Sequence, residues 1–198
     1  MCGRYLFSQN EDDEETRDWM EELSKEETSE TLKAVSLGEV CPSNLTPVLI
    51  LKEDLHPKIM RWGLPKWDDK GILINTRSET ALSSPLFKQH VQQRRCIIKA
   101  EGFYEWDIHK NKFLIKSKND KKLYMAGIYD DEPIPSFSIL TRESEGEFAE
   151  IHNRIPLLIP EKYTRKYLRD GAILLDDLRK IPLEDLIIQV STFQTSLF

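Results

Sequence analysis

CIIKAEGFYEWDI, residues 96–108, decides how the chain is built. Its β-branched and aromatic residues favour extended backbone, and it reads as one long strand bent at Gly102. Working outward, the same pattern recurs in short pieces. Downstream, KFLIKS (112–117), KLYMAGIYD (122–130), FSILTRE (137–143) and IPLLIP (155–160) read as strands. PEKYTRKYLRD (160–170) reads as a helix with Pro160 at its first position, and IIQVSTF (187–193) as a last strand. Upstream, GRYLFS (3–8) is a first strand, while PVLILKE (47–53) and PKIMRWG (57–63) form a hairpin around Asp54–Pro57. GLPKWDDKG (63–71) is a loop, ILINTR (72–77) a short strand, and 78–93 helical pieces interrupted at Pro85. Ser8 and Glu11 resemble a capping box for a helix over 11–24 with Trp19, Met20 and Leu23 on its apolar face; SKEETSETLK (24–33) is its tail or a loop. Many short strands with a few helices predict one α+β domain, residues 1–198. Its mainly antiparallel sheet is expected to be strongly curved, barrel-like and flanked by helices.

The 198 residues are 39% hydrophobic and 31% charged, which fits a globular chain and not a disordered one. No apolar run reaches the ~20 residues of a membrane span, and no basic leader precedes an apolar stretch. Cys2, Cys41 and Cys96 are an odd count, so reduced thiols in the cytoplasm are expected. There is no C-x-x-C and no H-E-x-x-H, and the four histidines are scattered; no metal site is expected. A net charge of −6 argues, taken alone, against nucleic-acid binding. Much of the acidity, however, is concentrated in residues 11–30. Arg4, Arg61, Arg77, Arg94 and Arg95 lie outside it, which leaves room for a local basic groove.

Four segments carry chemistry. In MCGR, removal of Met1 would leave Cys2 with an α-amine and a thiol on neighbouring carbons. The amine can condense with an aldehyde and the thiol can close on the imine carbon, giving a five-membered thiazolidine. The amine titrates at roughly 8 and the thiol at about 8.5, so both are partly reactive near neutral pH. For Cys2 alone, an incidental second residue is the plainer alternative. In LINTRSET (73–80), Asn75 and Arg77 can face one side of a strand end and suit a carbonyl or phosphate; strand-end turn chemistry is the alternative. In AEGFYEW (100–106), Glu105 either sits in an apolar setting that raises its pKa, or faces water while Tyr104 and Trp106 face the core. In IHNRIP (151–156), His152 is either a proton-transfer group or a structural histidine. Trp62, Trp67 and Phe87 are base-stacking or core residues, and the lysines of 110–122 belong to a solvated hairpin.

Taken together, MCGRY, RWGLPKW, LINTRSET, GFYEW and IHNRIP, in that order, resemble the SOS-response-associated peptidase (SRAP) family, the abasic-site processing proteins. The resemblance implies a curved α+β domain with a positively charged groove for single-stranded DNA. It implies that Cys2, freed of Met1, crosslinks to the ring-opened aldehyde of an abasic site. Asn75 would position the reacting amine or sugar, Glu105 would move protons, and His152 would be a second acid or base. Arg4 and Arg77 would bind flanking phosphates, and Trp67 would lie against the DNA. The implied activities are crosslinking, self-release of Met1 as a peptidase, and lyase chemistry. The expected partner is single-stranded DNA carrying abasic sites, met by a monomer without cofactor, metal or membrane. The segment GEVCP (38–42) departs from the family pattern, which has an asparagine shortly before an alanine–proline pair; Glu39 would add negative charge if it faced the groove. Two other functions compete: a cysteine peptidase with Cys2 as nucleophile and His152 as base, and a non-catalytic single-strand binding module.

Overall fold

A computed structural model describes residues 2–8, 13–66 and 70–191. β1 (Arg4–Leu6) leads into the helices α1 (Glu14–Leu23) and α2 (Ser29–Ala34). β2 (Glu39–Val40) precedes the hairpin of β3 (Leu45–Leu51) and β4 (Leu55–Trp62), then β5 (Leu64–Pro65), β6 (Ile72–Leu73) and β7 (Asn75–Arg77). The short helices α3 (Ser78–Ala81) and α4 (Lys88–Gln93) bring the chain to β8 (Arg95–Ala100) and β9 (Gly102–Trp106). β10 (Lys112–Ser117), β11 (Leu123–Asp130), β12 (Ser136–Glu143), α5 (Glu147–Ile151) and β13 (Arg154–Pro156) follow. A 3-10 turn at Glu161–Tyr163, α6 (Thr164–Arg179) and β14 (Leu186–Val190) complete the order.

Two sheets share the residue 96–108 stretch. Strands β11, β8, β3, β4 and β12 are hydrogen-bonded in sequence, and β12 pairs again with β11, so this sheet closes into a barrel. Closure removes the exposed edges that an open sheet would leave. The first half of β12 is flanked by β4 and β11, its second half by β7 and β13. The second sheet has the order β14-β10-β9-β1-β2 and is antiparallel throughout. The backbone passes from barrel to second sheet at Glu101–Gly102. A Cβ on Gly102 would stand 2.8 Å from the Ile115 carbonyl oxygen, so the crossing has no room for a side chain. The α+β architecture and curled, mainly antiparallel sheet are those expected from the strand pattern.

One core joins the barrel interior to the inner face of the second sheet. Trp62 is fully buried, stacked on Phe137 and edge-on to Tyr5, and its Nε1 donates to the Ile74 carbonyl at 3.0 Å. It is thus a core residue, and Phe87 packs against the same core, rather than both being open base platforms.

Several local expectations are corrected. α1 begins at Glu14 with Asp13 at its N-cap and no side-chain capping bond; Glu11 of the expected capping box lies outside the described residues. Asp13 and Glu15 turn in to the ammonium of Lys99, a fully buried residue of β8, at 3.1 and 3.0 Å, with the Trp19 ring 4.5 Å away. α6 runs on past Asp170 to Arg179, kinked at Asp170. The buried Arg95 sits against this kink: it donates to the carbonyls of Tyr167, Leu168 and Arg169, satisfying acceptors that the kink releases. Arg95 also donates to the Val91 carbonyl at the end of α4, so it is a structural clamp and not part of a basic groove.

Candidate active site

The register of β1 against β9 pairs Arg4 with Tyr104 and Leu6 with Gly102. Continued toward the chain start, it carries Cys2 alongside the Glu105–Trp106 end of β9. Cys2 is fully buried, not exposed as a terminal residue would be expected to be. Its thiol donates to the Arg4 carbonyl at 3.5 Å. Burial, and then the charge of Glu105, push its pKa well above that of an ordinary thiol. Asn75 reaches the same point from β7: its Nδ2 donates to the Cys2 carbonyl oxygen at 2.8 Å. The Oδ1 of that amide is buried and makes no hydrogen bond among the described residues.

Glu105 settles the alternative left open by its sequence. It shares the inner face of β9 with Phe103 and is 2% exposed. Burial pushes its carboxyl up to about 7. Such a group exchanges a proton readily near neutral pH. Tyr104 and Trp106 take the opposite face, where they meet cations. The ammonium of Lys112 lies 3.8 Å from the Tyr104 ring centre, and the Arg4 guanidinium 5.6 Å from that of Trp106.

His152 caps the C-terminus of α5 and precedes β13. The backbone N–H of Arg154 donates to its Nδ1 at 3.0 Å, and the Arg154 carbonyl oxygen lies 3.2 Å from the same nitrogen. Burial, and then the positive charge of the amino terminus, lower its pKa from the usual imidazole value. Arg154 is held by a bidentate pair with Glu79 of α3, at 2.9 and 2.8 Å, and by the Thr141 carbonyl at 2.8 Å. Because β7 and β13 flank the same half of β12, this pair ties the His152 segment to the turn that follows Asn75 and Arg77.

Of the residues singled out in the sequence, Cys2 and Asn75 are in direct contact, and the Glu105 charge acts on the Cys2 thiol. Arg77 is exposed at the end of β7 and makes no ion pair among the described residues. Arg4 is paired with Glu39 at 2.7 Å. Trp67 lies outside the described residues. Sequence reading missed Glu79 and Lys112. Lys112 does not belong to a solvated hairpin: it is buried, and both Glu39 oxygens accept from it, at 3.0 and 2.9 Å. Only the pairing of Lys112 with Trp106 across β10 and β9 signals this, and that register is not local information. A cavity of about 610 Å³ lies elsewhere, at the Ser117–Leu186 end of the β10–β14 pair, and none of Cys2, Asn75, Glu105 or His152 lines it.

Comparisons with known proteins agree with one another. The chain is 31% identical over 182 residues to the abasic site processing protein YedK of Escherichia coli, an alignment covering 85% of this chain and 80% of that one. It is 30% identical over 168 residues to the abasic site processing protein YoaM of Bacillus subtilis, covering 74% of each. A crystal structure of a protein from Bacteroides thetaiotaomicron has the same fold, with a TM-score of 0.77 at 22% identity over 96% of this chain and 91% of that one. The sequence profile described as SOS response associated peptidase (SRAP) matches residues 1–191, and the chain belongs to that family.

Proposed function

We propose that this protein acts in DNA repair by processing abasic sites in single-stranded DNA, and that it does so by covalent capture through Cys2 once Met1 is removed. The observation that carries this reading is the 2.8 Å bond from Asn75 to the Cys2 carbonyl beside a buried carboxyl of raised pKa. That carbonyl survives loss of Met1, so the same clamp holds the new terminus. Removal of Met1 turns the Cys2 amide nitrogen into an amine. The ring-opened sugar presents an aldehyde. A C–N bond forms and water leaves, giving an imine. The thiol then adds to the imine carbon, its proton ends on the nitrogen, and a thiazolidine closes. No electrons are gained or lost overall.

Each step moves protons. Glu105, near 7, gives one to the departing oxygen and takes one from the attacking nitrogen. The orphan Oδ1 of Asn75 suits an N–H of the new amine. His152, kept neutral by its lowered pKa, serves as a second base at the sugar, in forming the adduct and in any lyase step. Arg77, with Trp67 and Arg4, contacts the flanking strand. Release of Met1 by the protein itself belongs to the same reading.

A cysteine peptidase acting on other proteins is less well supported. Such an enzyme activates its nucleophile as a thiolate beside an imidazolium. Here the Cys2 thiol is pushed up and the His152 imidazole down, which opposes that ion pair.

Intact-mass spectrometry of the protein, alone and after incubation with an abasic oligonucleotide, tests the proposal. The expected result is loss of Met1 and a stable adduct that Cys2→Ala does not form. A full adduct yield from Cys2→Ala would overturn it.

A further inference from the structure

On the outer face of the second sheet, three strands bring one carboxylate and two cations together over a pair of aromatic rings. Glu39 of β2 receives Arg4 Nη1 at 2.7 Å on Oε1, and Lys112 Nζ at 3.0 and 2.9 Å on its two oxygens. Lys112 is itself 7% exposed and lies over Tyr104, while Arg4 lies over Trp106. A buried ammonium on an aromatic face cannot retract into water; its position is fixed by the sheet. Burial alone would raise the Glu39 carboxyl, yet the two cations hold it below its ordinary value, so it is ionised at neutral pH. The arrangement is that of an anion bound between a guanidinium and an ammonium, with a flat ring alongside. Arg4 begins two residues from Cys2, so an anion there would sit next to the chain start.

We propose that Lys112 completes the phosphate contact already assigned to Arg4, forming a phosphodiester site flanked by the Trp106 ring, and that Glu39 occupies this site as an internal mimic which a bound DNA strand must displace. The identity of the ligand rests on the proposed DNA function; the site itself rests on the geometry. A phosphate offers the same negative oxygens as the carboxylate, and the ring beside it suits the adjoining base. Two consequences follow. Glu39 weakens binding to intact single strands by competing for both cations. It also lowers the salt dependence of binding, because cations already paired release no counterions when DNA arrives.

The test measures affinity of a labelled oligothymidine for the wild type, Glu39→Gln, Glu39→Ala and Lys112→Gln across a salt series. Thermal melting confirms that each variant is folded. Both Glu39 variants are expected to bind roughly three- to tenfold more tightly at low salt, with a slope steeper by about 0.7 per phosphate gained. Lys112→Gln is expected to bind more weakly than wild type. Inorganic phosphate, added as a competitor, should weaken the Glu39 variants more than the wild type. Unchanged or weaker binding by folded Glu39 variants would overturn the proposal. The adduct assay on wild type and Cys2→Ala is read separately. An adduct that depends on Cys2, together with unaltered Glu39-variant affinity, would remove this inference and leave the proposed function standing. Tighter Glu39 variants with no Cys2-dependent adduct would do the reverse.

Discussion

The side-chain amide of Asn75 donates a 2.8 Å hydrogen bond to the backbone carbonyl of Cys2, 73 positions earlier in the chain. The bond joins β7, fixed along the barrel strand β12, to Cys2, two residues before β1 of the second sheet begins. It therefore sets where the chain start points, independently of what side chain residue 2 carries. Asn75→Ala should leave affinity for intact single strands within about twofold, because the amide holds the protein's own backbone. The rate of adduct formation at saturating abasic DNA should fall by roughly a hundredfold, the usual cost of a misplaced reacting group. Single-turnover rates against titrated affinities separate the two. Equal losses in both would make Asn75 a DNA contact instead.

Glu105 yields a prediction with a definite sign. Its folded pKa, about 7, lies above the ordinary 4.5 of a glutamate because the carboxyl is buried. Stability from the neutral form is fully present below the unfolded value and is lost as pH rises through the folded one. The wild type should lose up to about 3 kcal/mol between pH 4.5 and 7 from this group. Glu105→Gln should flatten that part of the stability profile while slowing adduct formation by roughly a hundredfold. Denaturant titrations at pH 5 and pH 8 give the first quantity, and adduct rates the second. A stability profile unaltered by the substitution would mean that the buried carboxyl is ionised throughout.

Cys2→Ser separates the two bonds of the proposed adduct. Serine keeps the α-amine, so imine formation with the aldehyde remains open. Its hydroxyl is a far weaker nucleophile than a thiol, so ring closure fails. The expected product is trapped only when borohydride is present, whereas the wild-type adduct persists without it. A Cys2→Ser adduct as durable as that of the wild type would exclude the thiazolidine.

The bent strand over 96–108, the helical pieces after Arg77 and the β3–β4 hairpin are legible in sequence because each is set by local patterning. The candidate-site residues Asn75 and Glu105 could be singled out because their polar groups interrupt apolar strands. Other features are invisible for the opposite reason. The capping of α6 by Arg95 spans 72 to 74 positions, and the Lys112–Glu39 pair 73. Nothing near Lys112 marks it as buried; only its neighbour across the sheet does. The burial of Cys2 is likewise a tertiary fact, since the core closes over a residue that local sequence would leave in water.

Glu79 and Arg154 offer a test of how His152 is held. Burial alone would raise the Glu79 carboxyl, but the Arg154 guanidinium outweighs it and keeps the pKa below the ordinary value. The sign is that of a carboxylate depressed by its partner: stability is present above the unfolded pKa and lost as pH falls through the folded one. Glu79→Ala leaves a guanidinium with 8% side-chain exposure facing, among the described residues, the Thr141 carbonyl and hydroxyl. Removing one partner of such a pair is costly, and with Glu79 itself about a third exposed the loss should be about 2 kcal/mol at pH 7. Arg154→Met removes the charge as well, so the double variant should be more stable than Glu79→Ala alone. The gap between wild type and Glu79→Ala should also narrow below pH 4, as Glu79 becomes protonated. Because the Arg154 N–H donates to His152 Nδ1, Glu79→Ala should slow adduct formation too, with Glu79→Gln recovering part of the rate. Urea titrations of the four proteins close the double-mutant cycle. A Glu79→Ala protein within about 0.5 kcal/mol of wild type would show that the pair positions nothing.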